Sequence, residues 1–596
     1  MSAKYIIGID LGTTNSVLAY AALDADEPQV ELLAIPQSVS ADAIESRDSL
    51  PSFLYLPAES ERSENAGLPW EDDGSRVAGE FARRRGAEQP ERTVAAAKSW
   101  LCHSRVDRHQ PILPWEAPSD VEQVSPIEAS ARYLSHLAAA WDAANPDAPF
   151  VEQQVVLTVP ASFDAGAREL THEAALLAGL PDDFVLLEEP QAAVYCWVAT
   201  MGDRWRKSLA VGDVILVCDV GGGTTDLTLV TVGEEEGDLV LQRLAVGDHL
   251  LVGGDNMDLA LAHRASELFA EKGTKLDPWQ SVALWHSCRT AKESLLDESN
   301  KKTKHPISVL GRGRKLVGGT VKVDVDRDDA SHLLADGFFP TCGVGDRPAR
   351  QPASGFKQLG LPYESDPAIT KHLAAFLAAH GDDGQPIRPT RVLFSGGVFR
   401  ADIFRDRILQ VMADWFDDDE APQPMEGEAD LMAATARGAA YYGWSKNRGG
   451  IRIRGGTGRS YYVGIETAGL AIPGAPRPLS ALCVVPQGME EGTDADVPGR
   501  EIGLVVGSAA RFRFFSSTTR KDDVPGDTLA RWTEEELAET DPLEAELPSE
   551  SSDADKYVPV RFFSKITELG MFELWCQSTI DDRRWKLEFS VREDAD

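Results

Sequence analysis

The chain contains 596 residues, with 59 basic and 96 acidic side chains and therefore a formal net charge of −37 at neutral pH. Its 43% hydrophobic and 26% charged residues are typical of a globular protein with several domains, which excludes a disordered or fibrous chain. The acidic surplus argues against nucleic acid or an anionic membrane as a partner, because both attract proteins mainly through Lys and Arg.

The N-terminal residues lead directly into an apolar strand pattern that starts at Tyr5. They lack the long apolar region and the small-residue cleavage site of a signal peptide. No window of the sequence approaches the roughly 18 apolar residues that a membrane span needs. We therefore expect a cytoplasmic location.

Residues 1–444 have the pattern of an α/β domain. Short β-branched runs alternate with Ala- and Leu-rich stretches of helical period, which predicts helices packed on mixed sheets. The predicted strands are residues 5–9, 154–159, 214–218 and 391–395. The predicted helices are residues 129–144, 165–178, 255–271, 278–296, 367–379 and 431–442.

The pattern changes at residues 445–459, which contain five basic residues, five glycines and no acidic residue. This composition predicts a flexible linker. Residues 460–596 then predict a small all-β sandwich domain, from strand-like runs at residues 461–465, 479–485, 501–506, 510–516, 557–563, 571–576 and 584–591. Residues 522–555 are acidic and contain Pro and Ser, which predicts a mobile loop or a short helix.

Two aspartate-led glycine turns each follow an apolar strand, about 200 residues apart. Residues 10–14 read Asp-Leu-Gly-Thr-Thr, and residues 219–224 read Asp-Val-Gly-Gly-Gly-Thr. Such turns bring backbone N–H groups and hydroxyls to a phosphate, and the leading aspartate can hold a hydrated Mg²⁺. Either turn alone is compatible with an ordinary β-turn, but the pair favours a duplicated fold whose halves close on one nucleotide.

Further motifs complete a recognisable set. They are Val-Pro-Ala-Ser-Phe at 159–163 with Arg168, Glu-Pro-Gln-Ala-Ala at 189–193, Val-Gly-Gly-Asp at 252–255 with Asp258, Ala-Lys-Glu at 291–293, Phe-Ser-Gly-Gly at 394–397 with Arg400, and Arg-Gly-Ala-Ala at 437–440. In this order they span most of residues 4–444, and the chain resembles the Hsp70 family, which is built on the actin- and hexokinase-like two-lobed ATPase fold.

The resemblance implies that ATP binds, and is hydrolysed to ADP, in a cleft between two lobes. The implied phosphate-binding residues are Gly12, Thr13, Thr14, Gly221, Gly222, Gly223 and Thr224. Asp10 and Asp219 are the implied ligands of a hydrated Mg²⁺, and K⁺ is a further candidate cofactor.

The implied catalytic residues are Lys98, Glu189, Asp219 and Thr224. Lys98 occupies the position of the family's phosphate-facing lysine, although a lysine on an amphipathic helix is otherwise usually a solvated one. Glu189 is the first candidate to orient or deprotonate the attacking water, and Asp219 is its competitor.

For the adenosine, the resemblance points to two sides of the cleft. These are Gly254, Gly396, Gly397 and Arg400, and the helix that carries Arg289 and Lys292. A guanidinium face and lysine methylenes can enclose a purine. Arg289 stands where the family commonly has an acidic residue, and Leu296 stands near its usual serine, so the hydrogen bonds to base and ribose are expected to differ.

Pro160 and Arg168 match residues that pass the nucleotide state to the neighbouring domain in the family. By sequence alone they could equally be a strand-ending proline and a surface arginine. The tail resembles the family's peptide-binding β-domain at Val-Gly-Ile-Glu-Thr, residues 463–467, and at Val-Pro-Gln-Gly, residues 485–488. The implied partners are extended polypeptide, a J-domain co-chaperone and a nucleotide exchange factor.

The chain departs from the family in three places. The leucine-rich linker is replaced by Ile-Arg-Ile-Arg at 451–454, and the arginine expected at position 185 is a valine, which argues against standard J-domain recognition. The sequence ends on a strand pattern, so we expect no helical lid. Residues 336–369 are also longer than is usual in the family, and the sequence suggests no role for them.

The leading hypothesis is an Hsp70-like, lidless, ATP-dependent chaperone that binds extended apolar segments of unfolded proteins, as in protein folding and the stress response. A nucleotide-gated scaffold with little turnover, serving one dedicated partner, is the second; the altered linker and Val185 favour it. A small-molecule kinase of the same fold is the third, and the Glu-Pro-x-Ala-Ala motif and Lys98 argue against it.

Overall fold

The computed structural model describes residues 3–61, 67–70, 76–103, 105–235, 238–297, 299–309, 321–349, 360–381, 384–416, 421–425, 427, 430–448, 453–454, 456–466, 479–490, 492–499, 501–505, 509–534, 536–546, 557–567 and 571–589. No helix among these residues has the length and apolar character needed to cross a membrane.

The first lobe contains eleven strands and six helices. The strands are Tyr5–Leu11 (β1), Asn15–Ala22 (β2), Glu31–Leu32 (β3), Ile35–Ser40 (β4), Ala43–Arg47 (β5), Leu50–Pro51 (β6), Leu54–Tyr55 (β7), Val77–Ala78 (β8), Thr93–Val94 (β9), Gln154–Val159 (β10) and Val185–Glu188 (β11). The helices are Glu80–Gly86 (α1), Ala97–Trp100 (α2), Pro126–Ala144 (α3), Ala165–Leu177 (α4), Glu189–Met201 (α5) and Trp205–Ser208 (α6).

The second lobe and the segment that follows it contain eight strands and six helices. The strands are Val214–Val220 (β12), Thr225–Glu235 (β13), Asp238–Val246 (β14), Lys304–Val309 (β15), Val321–Asp326 (β16), Arg391–Ser395 (β17), Gln423–Pro424 (β18) and Ile453–Arg454 (β19). The helices are Gly254–Glu271 (α7), Pro278–Leu296 (α8), Arg327–Phe338 (α9), Ile369–Ala379 (α10), Asp402–Trp415 (α11) and Ala434–Asn447 (α12).

One sheet arrangement occurs in both lobes. In the first, β1 pairs antiparallel with β2 and parallel with β10. In the second, β12 pairs antiparallel with β13 and parallel with β17. Each of the two glycine turns therefore joins the antiparallel pair of its sheet, and each leading aspartate lies at the end of a buried central strand. This repetition agrees with the predicted duplicated α/β fold.

Helices α5 and α12 pack between the two central sheets. Gly438 on α12 allows this approach, because a Cβ atom there would lie 1.7 Å from the carbonyl oxygen of Ala192 on α5. Gly8 in β1 has the same role, since its Cβ would lie 2.3 Å from the carbonyl oxygen of Ala436. The Arg-Gly-Ala-Ala motif therefore serves close packing between the lobes.

The predicted helices and strands of residues 1–444 are confirmed, with shifted ends. Local capping explains several of the boundaries. Ser125 and Glu128 form a capping box that starts α3 three residues earlier than predicted. Asp164 caps α4 through the backbone N–H of Ala167. Helix α12 starts and ends later than predicted and extends to Asn447, inside the predicted linker.

The tail forms ten strands, which are Ser460–Glu466 (β20), Leu479–Val485 (β21), Asp494–Asp496 (β22), Ile502–Val505 (β23), Ala509–Ser517 (β24), Thr528–Leu529 (β25), Ala538–Glu546 (β26), Tyr557–Ile566 (β27), Phe572–Ser578 (β28) and Arg584–Phe589 (β29). The order is β22-β27-β28-β29-β26-β24-β20-β21-β25, with β23 also on β27. All seven predicted strands are present within the described residues. Stacked rings of Tyr461, Phe514 and Phe572, with centroids 5.5–5.6 Å apart, lie in the core.

The prediction of a loop or short helix at residues 522–555 is wrong for residues 538–546, which form β26. Strand β24 supplies the basic partners that the acidic stretch lacks. Arg513 pairs with Glu539 at 2.5 Å, and Arg511 pairs with Glu544 at 3.4 Å. Leu543, between those acidic residues, is fully buried in the core. Cross-strand charge pairing and one apolar face are enough to hold an acidic segment in a sheet.

The predicted flexible linker is ordered where it is described. Strand β19 pairs parallel with β14 of the second lobe and becomes the edge strand of that sheet. Ile453 is buried, and its backbone N–H donates to the hydroxyl of Tyr195 at 2.8 Å. Expected flexibility is therefore wrong for residues 453–454, because the lobe offers them a strand edge and an apolar site.

The β-domain contacts the first lobe through buried charges. Asp541 on β26 pairs with Arg108 at 2.8 Å, and both side chains are almost completely buried. Asp541 also lies against the start of α4, where a Cβ on Gly166 would approach its carboxylate to 2.4 Å. At a second point, Arg459 donates to the backbone oxygen of Ser162 and to the hydroxyl of Ser516.

This interface predicts a pH-dependent stability. Burial, with the negative charge of Asp164, raises the pKa of Asp541 to about 6 from 3.8. A raised carboxyl pKa stabilises the folded protein fully below the unfolded value, and this contribution is lost as the pH rises through the folded value. From pH 5 to pH 7 we expect the wild type to lose about 1 kcal/mol relative to Asp541→Asn. Thermal unfolding of both proteins across this range measures it, and parallel profiles would contradict the assignment.

Candidate nucleotide site

A cavity of about 330 Å³ lies between the two lobes. Its walls come from both glycine turns and from helices α5, α7 and α8. It brings together residues predicted from distant parts of the sequence, namely Asp10, Gly12, Thr13, Thr14, Lys98, Glu189, Asp219, Gly221, Gly222, Thr224, Gly254, Arg289, Lys292, Gly396, Gly397 and Arg400. Gly223 lies beside the cavity rather than in its wall.

The two glycine turns touch each other across the lobes. A Cβ on Gly222 would lie 1.8 Å from the hydroxyl of Thr14, and a Cβ on Gly223 would lie 2.7 Å from the methyl of Thr13. Because Gly222 and Gly223 have no side chains, the two turns can approach each other this closely. Backbone N–H groups of both turns can then reach one phosphate chain.

An acidic cluster with one lysine forms the floor of the cavity. The Nζ atom of Lys98 contacts the carboxylate of Glu189, and both side chains are buried. Helix α2 places Lys98 there through Ala96, a non-glycine residue in left-handed conformation with φ 55°. Burial would lower the pKa of Lys98, but the carboxylates of Glu189 and Asp10 raise it, so this amine is charged.

The carboxyl groups of the cluster have raised pKa values. Burial, and then the charge of Glu189, raise the pKa of Asp10 to about 7. Burial also raises the pKa values of Asp219, Asp226 and Glu189. The charge of Lys98 acts in the opposite direction on all three. Four carboxyl groups, of which Asp226 and Glu189 are buried, therefore lie close together with Lys98 as the cation in the cavity wall beside them, and the cluster lacks positive charge.

This shortage of positive charge fits a hydrated divalent cation. The buried hydroxyls of Thr14 and Ser99 have no hydrogen-bond partner, so the cluster also offers unused polar atoms. Within the described part of the chain, no three His, Cys, Asp or Glu side chains converge to hold a metal directly. The residues therefore fit an ion bound through water, and the predicted roles of Asp10 and Asp219 remain predictions.

The predicted adenosine side contains a buried ion network. Arg289 pairs with Asp255 at 2.6 Å and with Asp258 at 2.9 Å, and Lys292 pairs with Asp258 at 2.7 Å. The guanidinium also lies over the rings of Phe53 and Trp285, at 5.1 and 5.5 Å from the centroids. Arg289 thus lines the cavity while it holds two carboxylates in place. Its role against a purine remains a prediction.

Several residues of the cavity wall were not predicted. They are Asn15, Ser49, Arg83, Asp226, Glu293, Val398, Leu431, Met432 and Thr435, with Asp255 and Asp258 known only as motif members. Asp226 follows the second turn closely, so its position in the sequence could have indicated that it lines the cavity. Arg83 and Glu293 pair across the lobes at 3.7 Å, and nothing in the sequence links them.

Arg400 is the exposed cation of this wall, at the 3₁₀ turn Gly397–Arg400. It lines the cavity and a neighbouring pocket of about 90 Å³ that also contains Leu296 and Phe404.

We expect Arg400→Ala to weaken ATP binding about tenfold, because a guanidinium face can stack on a base. Calorimetric titration of ATP measures this. Arg407→Ala, which removes a surface pair with Asp336, serves as the matched control, and unchanged ATP affinity in Arg400→Ala would contradict the assignment.

The two predicted relay residues lie away from the cavity. Arg168 pairs with Glu188 at 2.7 Å, immediately before Glu189 in the chain. Arg243 contacts the other oxygen of Glu188 and also the backbone oxygen of Gly456, beyond β19. Pro160 ends β10, the strand next to β11. A buried chain of charges therefore joins Glu189 to the linker, and sequence reasoning missed Glu188 and Arg243.

Comparison with known proteins gives the same answer as the motifs. A family model described as Hsp70 protein matches residues 56–338. Chaperone protein HscA of Pectobacterium carotovorum subsp. carotovorum (strain PC1) is 32% identical over 271 residues, which are 44% of this chain and 37% of the relative. Chaperone protein HscA of Enterobacter sp. (strain 638) is 33% identical over 274 residues, with the same two shares.

These alignments span a little over a third of the relatives' length and less than half of this chain. The family match at residues 56–338 includes Lys98, Glu189 and the second glycine turn, whereas residues 10–14, 394–397 and 437–440 lie outside it. Residues 56–338 are similar to the Hsp70 family, which agrees with the family predicted from the motifs, and the two HscA relatives support this similarity.

Proposed function

We propose that the protein is an ATP-hydrolysing chaperone whose β-domain binds extended apolar polypeptide under control of the nucleotide. The observation that carries this proposal is the juxtaposition of both glycine turns with the Lys98–Glu189 pair in one cleft. The relatives named as chaperones support the class of activity.

In this proposal the two turns hold the phosphates through backbone N–H groups and through Thr13, Thr14 and Thr224. Asp10 and Asp219 hold Mg²⁺ through water, and the metal supplies positive charge at the transferring phosphoryl group. Lys98, which contacts Glu189, steadies the γ-phosphate and the attacking water.

Glu189 is the proposed general base. Burial raises its pKa above the ordinary glutamate value, which improves the match between a carboxylate base and neutral pH. The charge of Lys98 opposes this rise in pKa. Asp219 is the alternative base, and its raised pKa is compatible with the same role.

Coupling to the β-domain would run through Glu188, the neighbour of Glu189. Movement of β11 on hydrolysis would change the contacts of Glu188 with Arg168 and Arg243, and through Arg243 the position of Gly456. The direct contacts of Asp541 and Arg459 with the first lobe give the β-domain a second route of response.

The test is ATP turnover with and without a permanently unfolded protein, together with the dissociation rate of a fluorescent apolar peptide in ATP and in ADP. We expect the unfolded protein to stimulate turnover and ATP to speed peptide release. Binding of ATP without stimulation would favour the scaffold hypothesis. Equal peptide release rates in the two nucleotides would overturn the proposed coupling.

A further inference from the structure

A second cavity, of about 300 Å³, lies beside the nucleotide cavity and has no part in the proposed function. Its walls come from residues 90–100 and 113–116 of the first lobe, from α8, and from residues 361 and 363. The volume is within the range of small-molecule sites. The last two residues belong to the long segment 336–369, for which the sequence suggested no role.

Four large aromatic side chains contribute to the walls of this cavity. They include the indoles of Trp100, Trp115 and Trp285 and the ring of Tyr363. The rings of Trp100 and Trp115 are 4.9 Å apart and inclined by 30°. A Cβ on Gly360 would lie within 2.9 Å of both indoles, so the backbone there fixes them from one side. Several ring faces and edges are thus held in fixed positions around one space.

The charged side chains in the described lining have one sign, and the guanidinium of Arg289 lies over the ring of Trp285, one of the walls. The charged lining residues are Glu91 and Glu116, and no Lys or Arg lines the cavity among the residues that the structure describes. His286 also lines it, and burial, with the charge of Arg289, lowers the pKa of His286 to about 3. The imidazole is therefore neutral, and the cavity presents electron-rich rings with two carboxylates.

Two backbone positions support a shaped site. Ala96 and Glu116 both have φ 55°, and within the described ranges they are the two non-glycine residues in the left-handed region. Both line this cavity. Strained positions of this kind gather at binding sites, where the surrounding structure holds them.

We propose that this cavity binds a small organic cation with an alkylated or aromatic body, such as a quaternary ammonium compound. Aromatic faces attract such cations through the ring quadrupole, and a carboxylate at the rim adds charge complementarity. An anion would meet two carboxylates, and a neutral ligand would gain only apolar contact. The site is separate from the nucleotide cavity, so its test is independent of the chaperone proposal.

The test is titration of the full-length protein with phenyltrimethylammonium, and separately with N,N-dimethylaniline, which is close in shape and uncharged at pH 7.5. Saturating ADP and Mg²⁺ keep the probes out of the nucleotide cavity. We expect the cation to bind about tenfold more tightly than the neutral compound. Equal affinities, or no binding of the cation at millimolar concentration, would overturn the proposal.

Two variants locate the binding. Trp115 is 37% exposed, so Trp115→Leu is expected to fold and to weaken cation binding about tenfold. Glu116→Gln keeps the shape and is expected to weaken binding of the cation but not of the neutral compound. Trp532→Leu, which changes an indole in the β-domain, is the matched control and should bind normally. Normal binding in both Trp115→Leu and Glu116→Gln would overturn the proposed location.

Discussion

Replacement of Lys98 by alanine is expected to lower ATP turnover by about 10²–10³-fold while ATP still binds. Among the described residues the amine is the cation that contacts Glu189, and its charge also acts on Asp10. Without it, the charge that develops on the transferring phosphoryl group loses a fixed counter-charge. The pKa of Glu189 rises further, because the charge of Lys98 no longer opposes the effect of burial. Single-turnover release of phosphate measures the chemical step directly.

Two further variants distinguish catalysis from folding. Glu189→Gln preserves the shape and the hydrogen bond to Lys98 but removes the base, so we expect a similar loss of turnover with an unchanged melting temperature. Lys207→Ala removes an exposed lysine and should leave turnover unchanged. Normal phosphate release in Lys98→Ala, with ATP bound, would show that this lysine does not serve the chemical step.

The sequence predicted many residues that line the cavity between the lobes, because several of them lie at the ends of buried strands. Asp10 and Asp219 each close an apolar run, and the glycines beside them mark the turns that meet across the lobes. Such patterns are local, so they can be recognised in the sequence without knowledge of the fold. The same locality explains why the strand before each turn was predicted with small errors at its end, whereas β2 and β13, which follow the turns, were not predicted.

Features that depend on a distant partner could not be predicted. The acidic residues of β26 look like a loop until Arg511 and Arg513 of β24 are placed beside them. Residues 453–454 look flexible until the edge of β14 is available. Arg83 and Glu293 come together only when the lobes close. In each case the determining contact joins segments whose proximity the sequence does not encode in any pattern we could identify.

The contacts of Arg243 could not be predicted from the sequence either. Its replacement is the second change for which we expect a large effect. Its guanidinium is buried, contacts Glu188 on one side and donates on the other to the backbone oxygen of Gly456 in the linker. Arg243→Ala would leave the buried Glu188 with Arg168 as its one remaining cation among the described residues, beside the amide of Gln191, and would release the linker. We expect a loss of about 3–5 kcal/mol in stability, which is typical when one partner of a buried ion pair is removed.

The decisive measurement is protection of the linker rather than stability alone. We expect trypsin to cleave the basic linker, residues 445–459, much faster in Arg243→Ala than in the wild type, because residues 453–456 lose an anchor. Arg264→Ala removes an exposed pair with Glu267 and should cost under about 1 kcal/mol without exposing the linker. If cleavage of the linker were unchanged in Arg243→Ala while stability fell, Arg243 would stabilise the lobe only. Nucleotide control of the β-domain would then have to pass through Asp541, whose contact with Arg108 reaches the first lobe without the linker, or through Arg459 at the end of the linker.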